Sequence, residues 1–335
     1  MKKNHPLLWL IPLAVLLLLI PFIVPSALTP AQAEEEALPV YSPVELANPN
    51  PDPLLPLPSP KDPNPTPYAA HEDGYVYDSA TGAAWEYRDG TIYVKIEKRK
   101  ISGTKVYFTW IQIADASQLR TLVTKETSPI KKAKNVNAIV AINGDWYSGR
   151  REGVIYRNGV LLRPAKPFGN YDVLLIDDEG DFHIMCRPED NAFAPYEGSI
   201  MHSFIFGPAL VVNGEMKEIK DNKYGSGPGM GLLNKTQRQA ICQMGKLSYL
   251  ILTTEGPNDS ANGGFTAPQM AQLAYDCGAI NAYNLDGGNS ASLILNGVKM
   301  NRFGKGGTRE ITDMIYFITA EPASAPAAEP EAPAP

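Results

Sequence analysis

The sequence predicts an α+β fold: a single domain on a mixed, largely antiparallel β-sheet with flanking helices. Three observations predict it. Runs of β-branched and aromatic residues come in pairs joined by Asn-Gly or Ser-Gly, the strongest short hairpin signal. One segment, 266–278, has apolar residues at helical spacing. Apolar residues make up 44% of the 335-residue chain and charged residues 20%, the balance of a globular protein with a core.

In chain order, the first 33 residues read as an export segment. Lys2 and Lys3 precede a long apolar stretch, and "AQA" at 31–33 supplies a small-residue cleavage signal. The stretch is also long enough to span a bilayer, so cleaved signal peptide and retained anchor both stay open. In both cases the remainder is extracytoplasmic, and any membrane contact is through this segment. Residues 34–67 read as a Pro-rich linker, with eleven prolines between 38 and 67. Proline fixes φ and removes donors, which predicts an extended spacer. The domain is expected over Tyr68–Thr319, and the Pro/Ala-rich tail 320–335 is expected to be disordered.

Within the domain, 87–100 and 104–113 predict two strands joined at Ser102-Gly103. The basic run "KIEKRK" alternates with apolar residues and reads as the solvated face of the first strand. Asn158-Gly159, Asn213-Gly214 and Asn296-Gly297 predict three further hairpins. "SPIKKAKNV" predicts a short helix before the apolar strand "NAIVAI". In "TAPQMAQLAYDCG", Thr266 can cap a helix, Pro268 suits its first turn and Gly278 can end it. Met270, Leu273, Ala274 and Cys277 then form one apolar stripe. Cys186, Cys242 and Cys277 are too widely spaced for a zinc knuckle and allow at most one disulfide. A net charge of −6 and a pI near 5.4, with no basic stripe, argue against a nucleic-acid partner.

Two strand ends look alike, and the second carries more polar residues than a turn requires. "AIVAINGDWY" ends on Asn143, Gly144 and Asp145, and "AINAYNLDGGNS" ends on Asn284, Asp286, Gly287, Gly288, Asn289 and Ser290. Glycine lets another group approach the backbone closely, and successive Gly amides can form an anion-binding nest. Asn143-Gly144 taken alone also fits a hairpin turn. Asp145, Asp286, Asp259 and Asn289 are oxygen donors of the kind calcium takes, so a calcium-like divalent cation is possible, though no cofactor is required.

The blocks "AINGDWY", "GPALVVNGE", "TQRQAI", "YNLDGGNSASL" and "NRFGKGGTRE", in that order, resemble the phosphodiester glycosidase family. The resemblance covers roughly residues 80–318 and rests mainly on N-L-D-G-G after an amphipathic helix. It implies hydrolysis of a sugar-1-phosphodiester, GlcNAc-1-phosphodiester-like and of envelope glycans, to free sugar and a phosphomonoester. Arg238 and Arg309 match its two arginine positions and are expected to share the phosphate, a role that suits a planar fork of donors. Asp286 is the carboxylate expected to activate water or stabilise an oxocarbenium-like centre. Glu255 is the second catalytic candidate, and His202 is either an acid/base group or structural. Asn143 and Asn284 would bond sugar hydroxyls or orient Asp286. The chain departs from the family pattern at Asp145 and Asn289, where glycines are expected, at Cys242, and at "TTEGPNDSANGG", which lacks an expected Arg. These departures keep a second reading open, a non-catalytic carbohydrate- or cell-wall-binding domain.

Overall fold

The computed structural model describes residues 36–322, apart from 53–54, 60–61, 63–64, 66–67, 150, 165–169, 190–191, 221–230, 258–262 and 303–306. The expected export segment and all but the first residues of the tail lie outside the described residues.

The strands run in order β1 (Tyr75–Tyr77), β2 (Ala84–Arg88), β3 (Ile92–Ile101), β4 (Thr104–Ile113) and β5 (Leu119–Thr127). Helix α1 (Pro129–Asn135) leads to β6 (Val140–Asn143), β7 (Ile155–Arg157), β8 (Val160–Arg163), β9 (Val173–Asp177) and β10 (Phe182–Met185). There follow β11 (Ile200–Phe204), β12 (Ala209–Val212), β13 (Glu215–Met216), β14 (Gln239–Gly245) and β15 (Ser248–Thr254). Helix α2 (Ala267–Asp276) precedes β16 (Asn281–Asn284), β17 (Leu293–Leu295), β18 (Val298–Lys299) and β19 (Ile311–Phe317).

Two sheets dominate. The larger has nine strands in the order β1-β2-β3-β4-β15-β14-β16-β12-β13; the other has five, β18-β17-β6-β19-β5. Strand neighbours in both are antiparallel, as expected. The helical share is smaller than the sequence suggests: α1 and α2, of 7 and 10 residues, are the two α-helices among the described residues. Sheet, not helix, builds most of the core.

The strand period of two explains how the layers form. On β4, Tyr107, Ile111 and Ile113 face a core shared with Val140 and Ile142 of β6 and Ile315 and Phe317 of β19. The alternate residues Val106, Phe108 and Trp110 face a second core that takes the α2 stripe of Met270, Leu273, Ala274 and Cys277. In the smaller sheet, Ala141, Met314 and Tyr316 turn away from the central core towards Ala133 and Val136 of the α1 region. Both sheets are thus covered on two faces, which is why "AIVAI" and "YLIL" are continuous apolar runs.

The turn chemistry is local and follows the sequence. Ser102-Gly103, Asn158-Gly159, Asn213-Gly214 and Asn296-Gly297 all have positive φ at both residues, as a type I′ hairpin requires. Helix α2 begins with a capping box: Thr266 accepts from the Gln269 amide, and the Gln269 side chain accepts from the Thr266 amide. All three cysteines are free.

The Pro-rich segment differs from a free spacer. Tyr41 stacks on Trp110 with ring centroids 5.5 Å apart. The Asn48 amide donates to the Gly90 carbonyl at 2.7 Å, and Arg120 Nη2 donates to the Pro56 carbonyl at 2.7 Å. Leu46 and Leu55 are buried, Leu55 beside Leu122 of β5. Extended Pro-rich chain keeps its carbonyls available and its few large apolar side chains free to pack. A boundary at Tyr68 cuts through these contacts.

Candidate functional site

The two polar strand ends meet, although they belong to different sheets. Strand β6 lies in the five-stranded sheet and β16 in the nine-stranded one. After Asn284 the chain crosses from one sheet to the other and enters β17, which pairs with β6. Residues 285–292 are this crossing. Asn143 fastens it: Nδ2 donates to the Asp286 carbonyl at 2.7 Å, and Oδ1 accepts from the Ser292 amide at 3.1 Å. The Asp286 amide returns a bond to the Gly144 carbonyl at 3.3 Å. Asn143-Gly144 is therefore no hairpin turn. The crossing also rests on the start of β14 and the residues before it: Leu285 N bonds Gln239 O at 2.8 Å and Gly288 N bonds Gln237 O at 2.9 Å. A Cβ at Gly287 would lie 2.6 Å from the Gln237 carbonyl, so the close approach needs glycine.

Asn143, Gly144, Asp286, Ser290 and Arg309 line one pocket, together with Glu126, Trp146, Ser148, Glu310, Thr312 and Asp313. Arg309 is held at its rim. Its amide donates to the Asn289 carbonyl at 3.2 Å and Nη1 reaches Ser290 Oγ at 3.4 Å. Trp146 is 47% exposed, with φ of +57°, a conformation that is an outlier for a bulky residue. Strain of that kind collects at ligand sites.

Sequence reasoning missed Asp313. It is 3% exposed on β19 and lines the pocket. Its Oδ2 accepts the Asp145 amide at 2.9 Å and lies 3.6 Å from Arg157 Nη2. Burial and the adjacent Asp145 charge raise its carboxyl to about 7, against the pull of Arg157. The signal for it was an acid inside the apolar run "ITDMIYF", which needs a special reason to be buried.

Other candidates do not line this pocket. Asp145 is fully buried; Oδ1 pairs with Arg157 Nη2 at 2.8 Å and Oδ2 accepts the Ile205 amide at 2.7 Å. Arg157 compensates the acid that stands where the family pattern has glycine, and Asp145 is committed to Arg157 and the Ile205 amide in the interior. Asp259, another expected cation ligand, lies outside the described residues. Arg238 does not meet Arg309 in the pocket. Nε donates to the Phe265 carbonyl, and Nη2 to the carbonyls of Gly231, Leu232 and Asn234. Desolvation lowers its pKa to about 10.

His202 is a core residue, not a surface acid or base. Nδ1 accepts the Asn158 amide at 3.2 Å, which leaves Nε2–H to donate to the Leu119 carbonyl at 3.2 Å. Burial, helped by the Arg157 charge, lowers its pKa to about 3, so the ring stays neutral. Glu255 is buried; Oε1 accepts from Tyr107 Oη at 2.9 Å and from the Arg302 amide at 3.3 Å. It is not among the residues lining the Asp286 pocket. Asn284 is buried and donates to the Gly207 and Leu285 carbonyls, so it shapes the crossing from beneath.

The fold and site define a protein of two antiparallel sheets joined by a glycine-rich crossing, with Asp286, Asp313 and Arg309 lining one pocket beside it. The particular family follows from comparison. Residues 136–318 match the family model described as phosphodiester glycosidase, and the chain belongs to that family. The SPbeta prophage-derived uncharacterized protein YomE of Bacillus subtilis (strain 168) is 28% identical over 196 residues, 57% of this chain and 30% of that protein. The match thus spans less than a third of that relative's length. Among solved structures, the zebrafish N-acetylglucosamine-1-phosphodiester alpha-N-acetylglucosaminidase catalytic domain, auto-inhibited by pro-peptide, superposes with a TM-score of 0.55. It shares 16% identity over 75% of this chain and 86% of that one, a likeness of fold. A hypothetical protein from Synechocystis gives a TM-score of 0.46 at 16% identity, covering 68% of this chain and 62% of that one.

Proposed function

We propose that the protein is an extracytoplasmic glycosidase that hydrolyses a sugar-1-phosphodiester to free sugar and a phosphomonoester. The observation that carries this is the junction pocket, where Asp286, Asp313 and Arg309 line one space. Cleavage at an anomeric carbon passes through an oxocarbenium-like centre, which a carboxylate stabilises. Asp286 takes that role and aligns the attacking water. The phosphate leaving group needs charge neutralisation more than protonation, and Arg309 supplies a guanidinium at the rim. Asp313, with its raised pKa, is a proton reservoir near neutral pH. Exposed Trp146 offers an apolar face against which a sugar ring can lie. Asn143 and Asn284 act by holding the crossing in place. The positively charged start and apolar stretch at the N-terminus support export, with the domain released or held near the cell envelope.

A second reading, a carbohydrate- or wall-binding domain without turnover, is favoured by one observation. Arg309 shares the pocket with Glu126, Asp286, Glu310 and Asp313, while Arg238 is used on main-chain carbonyls. One experiment separates the two. Free sugar is measured after incubation with UDP-GlcNAc and related sugar-1-phosphodiesters. Release that disappears in Asp286→Asn supports the glycosidase; binding of the same compounds with no release supports the binding domain.

A further inference from the structure

A second cluster lies outside the pocket, where the chain enters the domain and where it leaves. His71 stands just before β1, Asp89 lies in the β2–β3 turn, and Glu321 follows β19. One imidazole nitrogen and one oxygen of each carboxylate lie within 4.8 Å of one another. Three atoms so placed share a centre at most about 2.8 Å from each (4.8/√3), so small rotamer changes bring all three to the roughly 2.0–2.2 Å of zinc bonds.

The surroundings hold these side chains in position. Tyr87 Oη donates to Asp89 Oδ2 at 2.7 Å and accepts the His71 backbone amide at 3.0 Å, tying two of the three residues to one hydroxyl. Asp89 Oδ1 accepts from the Thr91 and Ile92 amides at 2.7 and 3.0 Å. Glu321 Oε2 accepts from the Gly90 amide at 3.2 Å. Such outer bonds are what orient carboxylate ligands on a metal. A separate observation points to a missing partner: His71 Nε2 is sealed from solvent and makes no hydrogen bond. A buried polar nitrogen without a partner is unfavourable, so a group that binds it is favoured.

The geometry points to a structural site for a divalent transition ion of the zinc class, held by His71, Asp89 and Glu321 with water completing the shell. The imidazole selects against magnesium and calcium, which prefer all-oxygen shells. The ion would tie the start of the domain to its end across the β2–β3 turn. The site is separate from the pocket and does not depend on the glycosidase reading.

The test uses the full chain, stripped with chelator and then dialysed against micromolar zinc, with bound metal counted by mass spectrometry. One ion per chain is expected, together with a rise in melting temperature that chelator reverses. His71→Ala and Glu321→Gln should each weaken zinc binding at least about ten-fold, and Asp286→Asn should bind as wild type does. Should His71→Ala fail to fold, Glu321→Gln and the visible spectrum of the cobalt-loaded wild type carry the test. No zinc taken up by the wild type, unchanged binding in the foldable variants, or loss of binding in Asp286→Asn would overturn the proposal.

Discussion

The carboxylate of Asp313 occupies the space where a side chain on Gly144 would begin: its Oδ2 lies 1.8 Å from an ideal Cβ there. The contact joins the end of β6 to the middle of β19. It also explains why glycine stands beside Asn143. Swinging the carboxylate aside would break the bond that Oδ2 accepts from the Asp145 amide.

Gly144→Ala therefore forces a clash inside a packed core. A loss of about 1–3 kcal/mol in stability is expected, the usual cost of overpacking. Turnover should fall by a larger factor than the stability loss explains, because Asp286 is bonded to the Gly144 carbonyl. Chemical denaturation and sugar release on the same variant check this; wild-type turnover would show that Gly144 does not position the pocket.

Asp286→Asn should keep the fold and lower turnover by about 10²-fold or more, the scale of a lost acid–base group. Arg309→Lys keeps the charge and loses the fork, so turnover should fall more than substrate affinity. Arg238→Lys should act differently, lowering the melting temperature through its lost carbonyl bonds. Equal effects of the two Lys variants on turnover and stability would remove the distinction between rim and interior arginine.

Asp313 gives a pH dependence of defined sign. Its folded pKa, about 7, lies above the ordinary 3.8, so the folded state holds a proton that the unfolded state has released between those values. Its contribution to stability is full below about 3.8 and is lost as pH rises through 7. Asp313→Asn should flatten that slope in urea unfolding and remove the limb near pH 7 from the kcat/KM profile. A limb that persists in the variant belongs to another group.

His202 works in the opposite direction. Its folded pKa of about 3 lies below the ordinary 6.5, so the unfolded state binds the extra proton in that interval. Stability from this group is full above 6.5 and falls as pH drops towards 3, by on the order of 5 kcal/mol in all. His202→Gln should remain neutral and lose that acid sensitivity, read as the pH dependence of the unfolding midpoint. Retained sensitivity would mean that His202 is not the group responsible.

Removing residues 1–67 should destabilise the domain. Leu46, Leu55 and Tyr41 lose their packing, and burial of a large apolar side chain is worth about 1.5–3 kcal/mol. A chain starting at Tyr68 should melt well below one starting at Ala37. Equal melting temperatures would show that the Pro-rich belt rests on the domain without stabilising it.

The sequence by itself determined the local structure. The four Gly-containing hairpins, the capped α2 stripe and the apolar strand before Asn143 were legible because turn chemistry and side-chain period act over a few residues. It also marked the strand end at 286–290, since five polar or glycine residues after a buried strand exceed what a turn needs, and left Asn143-Gly144 open as a turn. Only the tertiary structure decided what those residues do. It set β6 and β16 in different sheets and made the "LDGGNS" segment the crossing between them. It turned Arg238, Glu255 and His202 inward, because burial and hydrogen-bond partners come from segments distant in sequence. It gave Asp145 to Arg157 and brought Asp313 into the pocket. A carboxyl's pKa depends on its neighbours in space, and no residue spacing along the chain records them.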